Sequence, residues 1–341
     1  MIDWTKLQSA PRILMEATLC PTMGDRFQPT GFADLGAAQY QRPDGVEMLL
    51  VESAQSVANR LEKTCLDGEG PDIEPALAGL PYVTATLTGV EPEVRTSSLV
   101  EAHRLGSPYF LLNKAFREKV AAEMGYNPKR PLNWKAIYSV LFKYDPNSLL
   151  HGVFLSLLDG GRVRAPRAIT GFIEAENVRK VISGGVKNSP IDPTGELQVA
   201  EADASEKGVY SNVPYSRIEY TAKKITAYFN LDLALIRGYG LPEPASRLLI
   251  SLALLKTVRF LAGHLRLRTA CDLRLDGGVK VSVPEGFALP GEDELKSLVL
   301  EGIAACRGQF ADPPVTALTT PVAVKKQKKG KEEETAAGAE A

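Results

Sequence analysis

The sequence contains few of the residues that bind metal ions or form disulfides. Of its 341 residues, three are histidine and four are cysteine. They are widely separated, form no CxxC pair and no mixed cluster, and are Cys20, Cys65, His103, His151, His264, Cys271 and Cys306. This spacing indicates neither a zinc site nor a disulfide framework, and it fits a reducing, cytoplasmic environment.

Long uncharged apolar runs and catalytic motifs are also missing. The most apolar stretch, Leu248 to Gly263, is interrupted by Lys256 and Arg259, and the N-terminus lacks the basic start and apolar core of a signal peptide. We therefore expect no membrane partner. HExxH, GxSxG and Ser/His/Asp groupings do not occur, so no catalytic residue, metal ion or cofactor is predicted.

The chain has no excess of positive charge, which argues against an obviously basic nucleic-acid protein. Lys and Arg number 40, and Asp and Glu number 41. The charges are unevenly distributed, because Gly160 to Pro190 has a local charge of +4 whereas Asn188 to Glu206 has five acidic residues and no basic one. A nucleic-acid site would have to come from such local clustering.

Hydrophobic periodicity predicts an α+β fold. The predicted strands are Arg12 to Cys20, Arg167 to Val178, Lys223 to Ile236 and Arg268 to Leu275. Helical spacing indicates one helix that starts after Ser53, a potential N-cap, and another from about Pro244 to Leu261. The order strand, helix, strand, strand, helix, strand is that of the ferredoxin-like split βαβ arrangement, which RNA-recognition modules (RRMs) also use.

The remaining segments are predicted to lie outside this core. Residues 67–165 mix a strand candidate at Tyr82 to Val90 with helical segments, and we interpret them as an insertion with its own small core. Gly291 to Cys306 predicts a terminal helix. The chain from Pro313 is rich in Ala, Thr, Pro, Lys and Glu, so residues 313–341 are predicted to be disordered.

An unusual loop follows the first strand. Arg26 to Tyr40 contains two glycines, a proline and three aromatic residues. Glycines allow backbone N–H groups to approach a phosphate, although their spacing matches neither GxGxxG nor a P-loop. The alternative interpretation is a loop that is simply packed on the protein surface.

The start of the first helix is polar. Ser53, Ser56 and Arg60 fall close to one helical face, and Gln55 and Asn59 fall on an adjoining face. Hydroxyl and N–H groups at a helix start are suited to hold phosphate and sugar oxygens. Helix capping and a solvated face explain the same residues equally well.

Three arginines before the second strand form another candidate site. Arg162 and Arg164 share a side if their segment is extended, and Arg167 lies just beyond. Arginines in such a row are suited to follow a polyanionic backbone. The alternative is ordinary charge balance at the surface.

Taken together, these segments resemble a family of CRISPR backbone subunits. The resemblance is carried by GDRFQPTGFADLGAAQY, LLVESAQSVANRLE, GLPYVTATL, SSLVEAHRLGSPYF, RAITGFIEAENV and KKITAYFNLDLALI, followed by the apolar helix and RTACDLRL, and it covers most of residues 10–285. The family is the Cas-seven group of the RAMP superfamily, and the sequence is most similar to its type I-G branch, formerly called I-U.

The resemblance implies a protein shaped like a right hand. An RRM-like palm is expected at residues 10–66, 166–178 and 223–285, a fingers insertion at 67–165 and a thumb at 179–222. A C-terminal helix over 286–312 and a disordered tail over 313–341 complete the expected organisation.

The resemblance also implies a function without catalysis. Such a subunit polymerises head to tail along CRISPR RNA as a helical filament in a type I-G Cascade surveillance complex, and it presents the guide RNA for pairing with target DNA in antiviral defence. Further expected partners are the fused five/six-type subunit, the large subunit and a helicase-nuclease that is recruited to the complex.

The resemblance and the residue patterns together predict a set of RNA-binding side chains. These are Arg26, Gln28, Ser53, Gln55, Ser56, Asn59, Arg60 and Arg167, with Arg162, Arg164, Lys223 and Lys224 as additional candidates.

Two other functions stay open at this point. Related type III backbone subunits cut target RNA with an acidic residue in a palm loop, and Asp34 is a conceivable equivalent, although aspartate is also a common turn former. A metabolic enzyme is disfavoured because no cofactor or metal grouping is present. Since an RNP-type GFGFV motif is also absent, base stacking on the sheet is not predicted.

Overall fold

A computed structural model describes residues 2–32, 35–68, 70–158, 160–191, 212–263 and 265–323. Its α-helices are α1 Trp4–Ser9, α2 Ala54–Lys63, α3 Pro108–Leu111, α4 Lys114–Glu123, α5 Trp134–Tyr144, α6 Pro146–His151, α7 Leu233–Gly238, α8 Glu243–Gly263 and α9 Glu292–Cys306. No helix within these ranges is long and apolar enough to cross a membrane.

The strands divide between one large sheet and several small ones. They are β1 Arg12–Pro21, β2 Gly31–Phe32, β3 Gly36–Ala37, β4 Gln39–Gln41, β5 Glu47–Glu52, β6 Tyr82–Thr88, β7 Val94–Ser97, β8 Val153–Phe154, β9 Arg164–Ala165, β10 Ile169–Glu176, β11 Arg179–Lys187, β12 Val213–Thr221, β13 Lys224–Asp232, β14 Arg266–Arg268, β15 Cys271–Val283 and β16 Val315–Pro321.

The large sheet has the strand order β14-β15-β1-β13-β10-β5-β4. Its central ladders, which join β1 to β13 and β15 and join β10 to β13, are antiparallel. The alternation in β1 explains its central place, because Ile13, Met15, Ala17 and Leu19 are buried while the residues between them are only half buried. The predicted α+β class is confirmed.

Two helices cover the sheet where the sequence places them. α2 lies against β10, α8 lies against β13 and β15, and the two helices contact each other. Ser53 caps α2, since its Oγ accepts a hydrogen bond from the Ser56 N–H at 3.3 Å. α8 is buried around most of its circumference, which accounts for its nearly continuous apolar sequence.

One predicted strand in this region needs correction. The strand predicted from Lys223 to Ile236 stops at Asp232, whose carboxylate accepts a hydrogen bond from the Leu235 N–H and caps α7. Leu233 and Leu235 are therefore helical, and the apparent alternation runs on because both elements bury apolar side chains. The segment from Gly152 to Leu158 forms only the short strand β8 before a turn.

The long hairpin β11–β12 was not predicted. It lies within residues 179–222, pairs Arg179 through Lys187 with Thr221 through Val213, and has Ile182 directly opposite Ile218. Both isoleucine side chains are exposed, by 84% and 52%. Because one face of the hairpin is exposed among the described residues, its sequence lacks the apolar alternation that reveals a half-buried strand.

Residues 67–165 share their core with the sheet. Their buried side chains belong to the same continuous cluster as those of β1, β13 and α8, so the prediction of a separate small core is wrong. Buried ion pairs and hydrogen bonds also join the two regions: Arg104 donates to both carboxylate oxygens of Glu62 on α2, at 2.5 and 2.8 Å, and Lys256 donates to His151 at 2.9 Å. Burial holds the pKa of Lys256 below its ordinary value.

The C-terminal segment is part of this region as well. Val315–Pro321 forms β16, which pairs in parallel with β6 along its whole length. The prediction of disorder from residue 313 is therefore wrong for this strand, because backbone pairing to an existing sheet edge stabilises a segment that composition alone marks as unstructured. Residues 324–341 lie outside the described part.

We expect β16 to contribute measurably to stability. A chain that ends at Asp312 leaves β6 unpaired along one edge and should melt at least about 5 °C below the full-length protein. A chain that ends at Ala323 keeps the strand and should melt with the full-length protein. Thermal denaturation followed by circular dichroism checks both, and equal melting temperatures for the two truncations would contradict the assignment.

Candidate nucleic-acid interface

The loop after β1 is tied to the rest of the protein through its backbone. Phe27 and Tyr220 exchange two N–H to carbonyl hydrogen bonds of 2.9 Å, and the Gln28 N–H donates to the Ala270 carbonyl at 2.8 Å. The N–H groups of Thr22 and Thr30 also donate to backbone carbonyls. These four N–H groups of the loop are occupied within the protein and are not available to a phosphate.

A buried carboxylate lies where this loop, α2 and the β14–β15 turn meet. Glu52 is fully buried at the end of β5 and accepts hydrogen bonds from Ser56 Oγ and, at 3.0 Å, from Arg60 Nε. Its other oxygen forms an ion pair with Arg268. Arg268 in turn donates to the Gln28 carbonyl at 3.0 Å, and its guanidinium therefore links the loop to the sheet.

Arg60 is occupied by protein partners in the same cluster. Besides its bond to Glu52, it donates to the backbone carbonyls of Arg266 and Leu267. Burial lowers the pKa of Arg60 and that of Arg268 from their ordinary values. Arg60, which was predicted to bind RNA, therefore connects α2 to β14 through these hydrogen bonds.

A second carboxylate lies on the hairpin side of the loop. The side chain of Glu219 on β12 is only 5% exposed, and its two oxygens lie 3.2 Å from Arg26 Nη1 and 3.3 Å from Arg217 Nε. The Arg26 side chain is 57% exposed and the Arg217 side chain 31% exposed. Both guanidinium groups are therefore held by the protein while part of each still faces solvent.

These residues line two adjoining concavities, which we call the loop groove. One has a volume of about 740 Å³ and the other about 540 Å³, and both include Arg217 and Arg268 in their walls. The charged and polar side chains of the walls include those of Asp25, Arg26, Gln28, Ser216, Arg217, Glu219, Tyr220, Arg266, Arg268 and Asp272. A groove with four arginines and its own carboxylates is suited to bind a polyanion without being strongly basic overall.

Sequence reasoning missed part of this set. Arg217, Arg266 and Arg268 were not predicted, and neither was a role for Glu52 or Glu219. Arg266 and Arg268 stand two residues apart, the same spacing that singled out Arg162 and Arg164, so this signal was available in the sequence.

Part of the polar face of α2 is exposed to solvent. Gln55 and Asn59 are exposed and share a hydrogen bond of 3.2 Å, whereas the hydroxyl groups of Ser53 and Ser56 are engaged in capping and with Glu52. Arg167 is half buried and donates to the carbonyls of Ala54 and His151 and to the Gln55 side chain. Arg167 therefore braces the start of α2.

The remaining candidates lie in two other places. Arg162 donates to the carbonyls of Pro128 and Arg130 at 3.0 Å, and the Arg164 guanidinium lies 4.0 Å from the centre of the Phe154 ring. Their contacts are with the insertion and not with the loop groove. Lys223 and Lys224 are exposed beside the base of the hairpin. RNA binding by each of these residues stays a prediction.

Several predicted features fall outside the described residues. They are Asp34, His264 and the five acidic residues from Asp192 to Glu206. Within the described ranges, no group of three or more His, Cys, Asp or Glu side chains is arranged to hold a metal ion.

Comparison with protein families gives a match over nearly half of the chain. Residues 13–180 match the model of the family described as CRISPR-associated protein GSU0053. This segment contains β1, the loop, α2, the insertion and β10. Over this segment the chain is similar to that family of CRISPR-associated proteins, in agreement with the resemblance to the Cas-seven group of backbone subunits. A comparison with curated protein sequences gives no significant match.

Comparison with solved structures gives matches at low sequence identity. A chain of a CRISPR RNA-guided surveillance complex, pre-nicking, is 13% identical, with a TM-score of 0.42 and coverage of 84% of this chain and 82% of its own. Csc2 from Thermofilum pendens is 12% identical, with a TM-score of 0.32 and coverage of 90% and 81%. At such identities these similarities do not transfer a function.

The contacts of Arg268 give a prediction that is independent of ligand. Arg268→Ala removes the partner of a buried carboxylate and the tie to the Gln28 carbonyl, so the free energy of unfolding should fall by about 2 kcal/mol. Amide hydrogen exchange in residues 26–30 should also become faster. The matched variant Arg266→Ala removes an exposed guanidinium and should stay within about 0.5 kcal/mol of wild type.

Urea denaturation and hydrogen-exchange mass spectrometry measure the two effects. Equal stability of the Arg268→Ala and Arg266→Ala variants would show that the Glu52 cluster does not hold the loop.

Proposed function

We propose that the protein is a non-catalytic backbone subunit of a type I-G Cascade surveillance complex that binds CRISPR RNA along the loop groove. The observation that carries the proposal is the groove itself, in which four arginines from three separate segments line two adjoining concavities that share Arg217 and Arg268. The match of residues 13–180 to a family of CRISPR-associated proteins supports the choice of guide RNA as the polyanion.

The strand order supports an RRM-like palm. The split βαβ arrangement has an antiparallel sheet with two connecting helices. The same strand order occurs here in β15-β1-β13-β10, with α2 and α8 as the connecting helices. In this proposal, residues 67–165 are the fingers and the hairpin β11–β12 is the base of the thumb. The loop groove then lies between palm and thumb, because its walls come from the β1 loop, β12 and the β14–β15 turn.

The exposed hairpin supports assembly with further copies of the chain. Exposed apolar side chains such as Ile182, Val186 and Ile218 are typical of surfaces that contact another protein. A head-to-tail contact between identical copies that does not close generates a helical filament, which extends along the guide RNA. The guide bases then read target DNA by pairing, and the fused five/six-type subunit, the large subunit and a recruited helicase-nuclease are the proposed further partners.

Co-purification tests the function directly. The protein purified from cells that contain a CRISPR array should carry one small RNA of uniform length, and nuclease digestion should leave fragments that grow in regular steps with each bound copy. Heterogeneous RNA or none would contradict the proposal. Regularly spaced cuts in a complementary RNA added with Mg²⁺ would favour the target-RNA endoribonuclease instead.

Salt dependence tests the residues. Arg26→Ala and Lys224→Ala each remove an exposed cation at the groove or beside the hairpin. If these cations contact phosphates, each variant should reduce the slope of log affinity against log salt by about 0.7 for single-stranded RNA of any sequence. Lys114→Ala, which removes an exposed cation from α4 in the insertion, is the control. Fluorescence anisotropy measures the slopes, and unchanged slopes in both groove variants would refute the assignment.

A further inference from the structure

Each side of the loop groove has the same arrangement of charges. On one side, Glu52 lies between Arg60 and Arg268, and on the other side Glu219 lies between Arg26 and Arg217. Both carboxylates are buried, whereas three of the four arginines line the groove and retain exposed surface. We call these two groups the Glu52 triad and the Glu219 triad.

The arrangement has an electrostatic consequence. Four arginines contribute four positive charges, and the two carboxylates cancel two of them, so the triads together carry a charge of +2. A guanidinium that is bound to a buried carboxylate also loses most of its side-chain freedom. The two triads therefore have a low net positive charge, and their guanidinium groups are restrained by the carboxylates.

We propose that Glu52 and Glu219 are positioning residues of the nucleic-acid groove. Glu52 holds the guanidinium group of Arg268 in a fixed place on the groove wall, Glu219 holds those of Arg26 and Arg217, and both carboxylates reduce the net charge of the groove. This inference rests on the proposed function. Neither glutamate contacts the RNA. The restrained guanidinium groups contribute the part of the affinity that survives high salt, because less side-chain freedom remains to be lost on binding.

A purely structural role predicts a different outcome. If the carboxylates only stabilise the fold, replacing them changes the melting temperature and shifts affinity by the same factor at every salt concentration. If they position the arginines, replacing them frees extra cations, which strengthens the salt-dependent part of binding and weakens the salt-resistant part. The two roles are distinguished by the slope of affinity against salt.

Glu52→Gln and Glu219→Gln make the test, because glutamine keeps the size of the side chain and one oxygen acceptor while removing the charge. Glu93→Gln, at an exposed position before β7, removes the same charge away from the groove and is the matched control. Affinity for a single-stranded RNA of about 30 nucleotides is measured by fluorescence anisotropy between 0.05 and 0.5 M KCl. Melting curves establish that each variant is folded.

In a plot of log affinity against log salt concentration, the line of each groove variant should cross the line of the wild-type protein. Each groove variant should bind RNA about threefold more weakly than wild type at 0.5 M salt, with a slope steeper by about 0.7, so that the difference reverses at 0.05 M, where the steeper slope has recovered about fivefold. Glu93→Gln should follow the wild-type line. If Glu52→Gln does not fold, Glu219→Gln alone decides.

Two results overturn the inference in different ways. Lines parallel to wild type, shifted or not, mean that the glutamates do not position the arginines, and they leave the proposed function intact. Wild-type protein with no measurable affinity for RNA contradicts the proposed function, and the inference with it.

Discussion

The structure depends on the burial of the Glu52 carboxylate between two arginines. Glu52 ends β5 and precedes α2, and its partners come from α2 itself and from β14, which is more than two hundred residues away in the chain. A buried carboxylate is tolerated only when its charge is compensated, so these segments have to meet for the protein to fold. Through Arg268 and the Gln28 carbonyl, the same contact also fixes the loop after β1.

This constraint explains how a protein with net charge −1 can have a groove lined by four arginines. The arginines that form the groove are balanced locally by buried glutamates, so composition reveals no basic domain. Several polar groups that first suggested direct RNA contacts bond to backbone carbonyls instead: Arg60 braces α2 against β14, and Arg167 braces the start of α2. Arg26 and Gln55 are more exposed, and their contact with RNA stays a prediction.

The sequence was informative where one face of an element is buried. The alternation of β1, the cap at Ser53 and the apolar run of α8 each follow from burial against the common core, and their predicted positions are correct within a few residues. The hairpin β11–β12 and strand β16 were missed because backbone pairing, which leaves no apolar period, holds them. The pairing of Glu52 with Arg268 and of Glu219 with Arg26 could not be predicted, since these residues are distant in sequence and meet only in the folded chain.

Photochemical cross-linking of bound RNA tests the central claim most directly. A guide RNA that contains 4-thiouridine, bound to the protein and irradiated, should give cross-linked peptides from residues 22–30, 216–220 and 266–272, which together line the loop groove. Cross-links confined to the outer surfaces of α8 and α9, or spread evenly over the chain, would contradict the account.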